Sequence, residues 1–70
     1  MEENKISKLI EHKGVLLGHI YYLMDLSTSI KKNDLNEELE NQVNYTINNN
    51  LILLHLLDIE ITKLRGEDEE

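Results

Sequence analysis

The densest apolar run in the chain is Asn50-Leu51-Ile52-Leu53-Leu54-His55-Leu56-Leu57, which opens on an asparagine and contains one histidine. On both sides of this run, apolar residues recur every three or four positions, the spacing that lines side chains along one face of an α-helix. The spacing predicts one long helix over about residues 35–65. The apolar stripe of that helix is formed by Leu39, Val43, Ile47, Leu53, Leu54, Leu57, Ile61 and Leu64.

A second stripe of the same kind precedes this helix, with Lys13 and Ser27 as polar insertions. Acidic residues stand before the stripe and two lysines, at positions 31 and 32, stand at its end. These charges have the signs that a helix dipole favours at its two ends. The pattern predicts a first helix over about residues 3–32. Its apolar stripe is formed by Ile6, Leu9, Ile10, Leu16, Leu17, Ile20, Leu23, Met24 and Ile30.

A short turn separates the two helices. It is expected at residues 33–34, Asn-Asp, because both residue types favour turns. Asp34 with Glu37 three residues later has the form of a capping box, which predicts that the second helix begins there. A turn of this length forces the helices to run antiparallel, so the sequence predicts an all-α fold, an antiparallel helical hairpin.

The second helix has a clear stop signal. Lys63 and Arg65 occupy its expected last turn, and Gly66 offers the left-handed residue that commonly ends a helix. We therefore place the hairpin in residues 1–66. Residues 67–70, which are all acidic, are expected to form a disordered tail.

Both helices carry a second apolar face that a single hairpin leaves uncovered. A chain of 70 residues buries a small share of its surface, and this one contains no cysteine for a disulfide or a thiolate metal site. Packing against another copy is the simplest way to cover the second faces, so we expect a homodimeric four-helix bundle. The expected dimer interface consists of Val15, His19, Tyr22, Leu26, Tyr45, Ile52, Leu56 and Ile59.

Asn50 interrupts the apolar stripe of the second helix. A buried asparagine costs stability unless its amide is paired, and its best documented use is to fix the register and the oligomeric state of packed helices. With a turn at residues 33–34, the residues opposite Asn50 are Leu16 and Leu17. We therefore expect Asn50 to set the register by pairing with its equivalent in the dimer or with Thr46.

The net charge of −7 limits the classes of partner. Residues 1–33 hold five lysines against four acids, a net charge of +1, whereas residues 34–70 hold two basic residues against ten acids, a net charge of −8. Nucleic-acid backbones require clustered lysine or arginine, so no direct binding to nucleic acid is expected. The sequence also has no apolar window of about 18 residues, and we expect a cytoplasmic protein that does not bind membranes.

Gly14 and Gly18 lie four residues apart inside the first helix, where two glycines cost about 2 kcal/mol relative to two alanines. Close contact with another helix, a ligand pocket and incidental tolerance are the open interpretations. Close contact, within the bundle or with a foreign protein, is favoured because small residues let helices approach each other. The expected partner-binding residues are Gly14, Gly18, Tyr21, Glu40, Glu67, Asp68, Glu69 and Glu70.

The histidines do not indicate catalysis or metal binding. His12 and His19 share a helix face, but they are seven residues apart, and two metal ligands on one helix favour a spacing of three or four. The run His12-Lys13-Gly14 also lacks the two residues that separate histidine from lysine and glycine in histidine phosphotransfer proteins. Structural histidines at an interface explain these positions. We therefore expect no metal, no cofactor and no enzymatic activity.

Two classes of function fit these features. The first is a small acidic regulatory or inhibitory protein that binds a partner protein through a basic surface of that partner. The extra apolar faces, the two glycines and the acidic second half of the chain favour it. The alternative is a structural module for assembly or oligomerisation within a larger complex. The two classes differ in their response to salt, since charge-led association weakens as ionic strength rises.

Overall fold

The computed structural model describes the backbone of residues 2–69 and the side chains of residues 4–66. These residues form two long helices, α1 over Glu2–Lys32 and α2 over Glu37–Glu69, which pack together as a hairpin. The hairpin measures 53 × 15 × 12 Å. Its radius of gyration is 16.0 Å, against about 11 Å for a compact domain of this length. The predicted all-α helical hairpin is confirmed.

The contact between α1 and α2 follows a strict spacing of three and four residues on both helices. Such a period of 3.5 residues is that of coiled coils, in which a narrow stripe stays in contact along the whole length. We call this stripe the seam. All its members are buried or half-buried: Ile6, Leu9, Lys13, Leu16, Ile20, Leu23, Ser27 and Ile30 on α1, and Glu40, Val43, Ile47, Asn50, Leu54, Leu57, Ile61 and Leu64 on α2.

Four residues of the predicted stripes are exposed instead of buried. They are Ile10, Met24, Leu39 and Leu53. A coiled-coil seam admits two positions in every seven, whereas the predicted stripes are wider. The hairpin therefore leaves apolar surface open along both edges of its seam.

The first helix ends in a motif that the sequence pattern does not predict. Asp34 has a φ of 50°, the left-handed conformation usual for the residue that follows a helix. Its backbone N–H donates to the carbonyl of Lys31 at 3.3 Å, and the N–H of Leu35 donates to the carbonyl of Ile30 at 3.0 Å. These two bonds form a Schellman motif and satisfy carbonyls at the end of α1. Asp34 thus terminates α1 rather than starting α2, and the predicted capping box of Asp34 and Glu37 is wrong.

Asn36 caps the start of α2. Its side-chain oxygen Oδ1 accepts a hydrogen bond from the backbone N–H of Leu39 at 3.0 Å. Its carbonyl accepts a bond from the N–H of Glu40 at 3.1 Å. An asparagine at this position satisfies one of the donors that a helix start leaves open. The connection therefore spans residues 33–36 rather than the predicted residues 33–34.

The longer turn changes which residues face each other. Three side-chain pairs cross between the helices, namely Lys13 with Asp58, Ser27 with Asn44, and Lys31 with Glu40. In each pair the two residue numbers add to 71. Asn50 is therefore level with Tyr21, and the expectation that it faces Leu16 or Leu17 is wrong by about one helical turn.

The stop signal at Gly66 does not end α2. The helix continues through Gly66 to Glu69, and no glycine of the described chain has a positive φ. Glycine permits the left-handed conformation without enforcing it, and the glutamates that follow are good helix formers. The expected helix end at residue 65 is therefore wrong, and the expected disordered tail begins as helix. The side chains of residues 67–70 lie outside the described part of the chain, so their role in recognition stays a prediction.

The two turn residues should respond to mutation in opposite ways. Asp34→Gly should raise the free energy of unfolding by about 1 kcal/mol, because glycine takes a positive φ without steric cost. Asn36→Ala should lower it by about 1 kcal/mol, since the cap of α2 is lost. Urea denaturation at one protein concentration, followed by circular dichroism, measures both values. A lower free energy of unfolding for Asp34→Gly would show that the Asp34 side chain caps α2 after all.

Candidate interaction surfaces

The second apolar faces are open to solvent in the hairpin. Tyr22 is 66% exposed, Ile52 60% and Leu56 55%. Of the eight residues of the expected dimer interface, seven are exposed and Leu26 is half-buried. Large apolar side chains that share a face and remain in water mark interaction sites. The hairpin alone thus leaves uncovered the residues that a partner is expected to cover.

These eight residues do not form one surface. Three of those on α2 each lie two residues from the seam position before and two residues from the seam position after: Tyr45, Ile52 and Ile59. Two residues turn about 200° around a helix, so these side chains lie opposite the seam. They lie on the side of α2 that faces away from α1, and we call them the outer face. A second copy that packs on the expected residues of α1 does not reach this side of α2. The structure therefore divides the expected interface into two surfaces.

A groove at one edge of the seam locates the other surface. The groove is lined by His19, Tyr22 and Leu23 of α1 and by Thr46 and Asn50 of α2. His19 and Tyr22 of the expected interface thus lie on the same edge as Thr46. Residues from both helices meet there, so one partner can contact α1 and α2 together.

Neighbouring residues extend this edge along the hairpin. On α1, Val15 and Leu26 lie four residues from His19 and Tyr22, respectively. On α2, Leu53 lies seven residues after Thr46, and Leu56 follows one turn later. Spacings of three, four and seven keep side chains on one side of a helix. We call this surface the lateral face, and it consists of Val15, His19, Tyr22, Leu26, Leu53 and Leu56.

Asn50 opens into the groove with an unpaired amide. It is half-buried in the seam, and its side chain forms no hydrogen bond within residues 4–66. The hydroxyl of Thr46 donates to the carbonyl of Gln42 at 2.9 Å and does not pair with Asn50. The expected pairing of Asn50 with Thr46 is therefore wrong in the hairpin. Pairing with a second copy stays a prediction.

The other polar members of the seam have partners across it. The hydroxyl of Ser27, which is 8% exposed, donates to Oδ1 of Asn44 at 3.1 Å. Nζ of Lys13 lies 2.6 Å from Oδ1 of Asp58. Sequence reasoning missed Asn44 and Asp58, because a partner across the seam is found only when the length of the turn is known. These pairs hold the register of the hairpin.

Gly14 and Gly18 face open space. A Cβ atom at either position would meet no described atom within 4 Å, and the same holds for Gly66. Tyr21, the expected partner-binding residue beside them, is 68% exposed. The hairpin therefore does not use these glycines for close contact between its own helices. Contact with another protein, a ligand pocket and incidental tolerance remain as interpretations.

Glu40 has a neighbour inside the hairpin. It is a half-buried member of the seam, and its Oε1 lies 3.9 Å from Nζ of Lys31. An ion pair of this kind contributes under about 1 kcal/mol. Even so, its position explains Glu40 without a foreign partner. The remaining acids of the expected partner-binding set have side chains outside the described residues, namely Glu67, Asp68, Glu69 and Glu70.

No protein-family model, curated protein or solved structure matches the chain. Across the described residues, neither helix has an apolar stretch of the length that crossing a bilayer requires. Within the same residues, no three histidine, aspartate or glutamate side chains gather as a metal site would need. The surfaces of the hairpin are therefore the basis on which a function is argued.

Asn50→Leu should raise the free energy of unfolding by about 1 kcal/mol, because leucine gains transfer free energy at this half-buried position and no hydrogen bond within the hairpin is lost. If Asn50 also fixes the oligomeric state, its loss should broaden the distribution of oligomers in sedimentation velocity. Thermal denaturation at a fixed protein concentration measures the first effect.

Asn44→Leu is the matched control, since it places the same substitution at another half-buried asparagine of α2. It removes the acceptor of the buried Ser27 hydroxyl and should lower the free energy of unfolding by about 1 kcal/mol. A lower melting temperature for Asn50→Leu as well would show that the Asn50 amide is paired in the assembled protein.

Proposed function

We propose that this chain is a small acidic cytoplasmic protein that regulates or inhibits another protein by binding it, as a homodimeric four-helix bundle and without enzymatic activity. One observation carries this proposal: α2 exposes large apolar side chains both at its lateral edge and on its outer face. Leu53 and Leu56 belong to the first surface, and Tyr45, Ile52 and Ile59 to the second. Apolar surface of this extent on a small acidic chain is typical of a protein that works through its contacts.

The accessible surface of the hairpin supports self-association. The chain exposes 5596 Å², whereas a folded monomer of 8.2 kDa exposes about 4,500 Å². The excess is about 1,100 Å². In a standard interface each partner buries roughly 800 Å². Contact with a second copy along the lateral face would therefore remove most of this excess, leaving about 300 Å².

The outer face supports a second, foreign partner. It belongs to α2 alone and points away from α1, so packing on the lateral face leaves it accessible. Its residues are spaced by seven, which places them in one line along the helix. A line of this kind fits an apolar groove or an amphipathic helix of another protein.

The charge of the chain supports a partner with a basic surface. A dimer carries twice −7, or −14, and repulsion among these charges opposes assembly. A basic partner removes part of this repulsion and is drawn to the dimer before contact. The acidic residues then speed the encounter, while the apolar outer face determines how long the complex lasts.

An oligomerisation module of a larger complex is the second candidate. The 53 Å length of the hairpin and the continuous seam favour it, because such a rod suits a spacer between other subunits. Apolar contacts would dominate its assembly, so its affinity should change little with salt. The proposed regulator should lose affinity steeply as ionic strength rises.

Sedimentation equilibrium should show a species of twice 8.2 kDa at tens of micromolar protein. Leu56→Glu should shift it to the monomer mass, because a charge is then placed on the lateral face. Ile52→Glu is the matched control four residues away, equally exposed but on the outer face, and should remain dimeric. A folded wild-type species of 8.2 kDa would exclude the four-helix bundle.

The partner should be captured from the host with a tagged copy of the chain, and its binding kinetics measured by surface plasmon resonance. Gly14→Leu should speed dissociation if the open surface at Gly14 contacts the partner. Gly66→Leu, at another open helical glycine, is the control. Ile52→Glu should abolish capture while the dimer persists.

Deletion of residues 67–70 should slow association severalfold and flatten its dependence on salt, with dissociation nearly unchanged. Unchanged association would remove the electrostatic part of the proposal. Unchanged capture of the partner by Ile52→Glu would show that the partner does not bind the outer face.

A further inference from the structure

On α1, the lateral face lies within a regular apolar stripe that runs from His12 to Leu26. Its members follow each other at spacings of three, four, three and four residues, through Val15, His19 and Tyr22. This is the pattern of a second coiled-coil seam that has no occupant in the hairpin. The middle residue of this stripe is His19.

On α2, a row of positions spaced by seven runs along the same edge of the seam. Its middle residue is Leu53, and the polar residues Thr46 and Glu60 lie seven positions before and after it. Facing residues have numbers that add to 71, so His19 is level with Ile52. Leu53 is one residue from that level, about 1.5 Å along the axis. The middle residues of the two rows, His19 and Leu53, thus lie at nearly the same height.

We infer that a second copy packs on the lateral face about a twofold axis that is perpendicular to the hairpin and passes beside His19. The inference rests on the dimer proposed above and gives it a geometry. A twofold axis brings each residue that lies on it against its own equivalent. His19 of one copy therefore meets His19 of the other, and Leu53 meets Leu53. The two copies run antiparallel, α1 against α1 and α2 against α2.

The side-chain sizes on α1 favour the antiparallel arrangement. About an axis at His19, Val15 faces Tyr22 of the second copy, and His12 faces Leu26. The small Val15 then lies opposite the large Tyr22, which fills the space between two helices without crowding, while His12 and Leu26 are similar in size. With the twofold axis along the hairpin instead, α1 would pack on α2 of the second copy. Tyr22 would then be level with the polar Asn49, and Leu26 would be within one residue of the level of Thr46.

The antiparallel arrangement also covers both helices with a single contact. Because the middle residues on α1 and α2 lie at nearly the same height, one axis serves the α1 pair and the α2 pair. Every neighbouring pair of helices in the resulting bundle is antiparallel, as in up-and-down four-helix bundles. The groove that holds the unpaired Asn50 amide lies next to this axis, so the second copy closes it.

Disulfide mapping tests the axis directly, since the chain contains no natural cysteine. Single variants His19→Cys, His12→Cys and Leu26→Cys are oxidised with copper phenanthroline and separated on non-reducing gels. A disulfide requires Cα atoms within about 7 Å. Residues 12 and 26 lie about 10 Å from the axis along the helix, so their own equivalents are about 20 Å apart.

The expected result is that His19→Cys links to itself on the order of tenfold faster than either control variant. An equimolar mixture of His12→Cys and Leu26→Cys should link to each other. Leu53→Cys, at the same height on α2, repeats the test if His19→Cys no longer dimerises. Self-linking of His12→Cys and Leu26→Cys would show a parallel dimer and overturn the inference.

Two further outcomes separate this inference from the proposed function. If neither His19→Cys nor Leu53→Cys links while sedimentation still shows a dimer, the copies meet about another axis or on another face. The axis is then wrong and the proposed dimer stands. If the reduced wild-type chain sediments as a monomer, both the axis and the dimer fall.

Discussion

The narrow seam between α1 and α2 is the constraint from which the rest of the molecule follows. Two helices have only one contact to share, and a coiled-coil seam uses two positions in every seven. Among the described residues, few apolar side chains lose more than nine-tenths of their exposed surface: Ile20, Ile30, Val43, Ile61 and Leu64. A chain with more apolar positions than one seam can hold must leave the others in water or cover them with a partner. The lateral and outer faces exist because the chain has more apolar residues than the seam has positions for.

Polar residues within the seam decide its register. Ser27 and Lys13 each have a partner on α2 in one register, and a shift of the helices by a turn would leave the buried Ser27 hydroxyl without its acceptor. An unpaired buried hydroxyl costs about 1 to 3 kcal/mol. Apolar contacts alone tolerate such a shift, because one aliphatic side chain replaces another. Asn50 is the exception, since its amide has no partner among the described residues and faces the groove.

The sequence predicted the two helices and the hairpin because their apolar spacing persists over about thirty residues in each helix. The details of the turn were not predictable in the same way. Asp34 and Asn36 are both good caps, and only the backbone shows that Asp34 has a positive φ while Asn36 bonds the N–H of Leu39. That difference of two residues moves the register, and with it the neighbours of Asn50. The sequence pattern also did not predict the division into two surfaces. That division depends on the angle around α2 between Ile52 and the seam, which is known only once the seam residues are known.

The geometry inferred for the dimer has a consequence for binding. The inferred twofold axis passes between the two copies of α1 and between the two copies of α2. Both copies of α2 therefore lie on one side of the bundle, and both copies of α1 lie on the other. The two outer faces then lie side by side, with the two Ile52 side chains near the centre and Tyr45 of one copy near Ile59 of the other. A partner that contacts both outer faces engages twice the apolar surface that one chain offers. Under this inferred geometry, binding and self-association would be coupled, because only the dimer would present the combined surface and a partner that prefers it would stabilise the dimer by mass action.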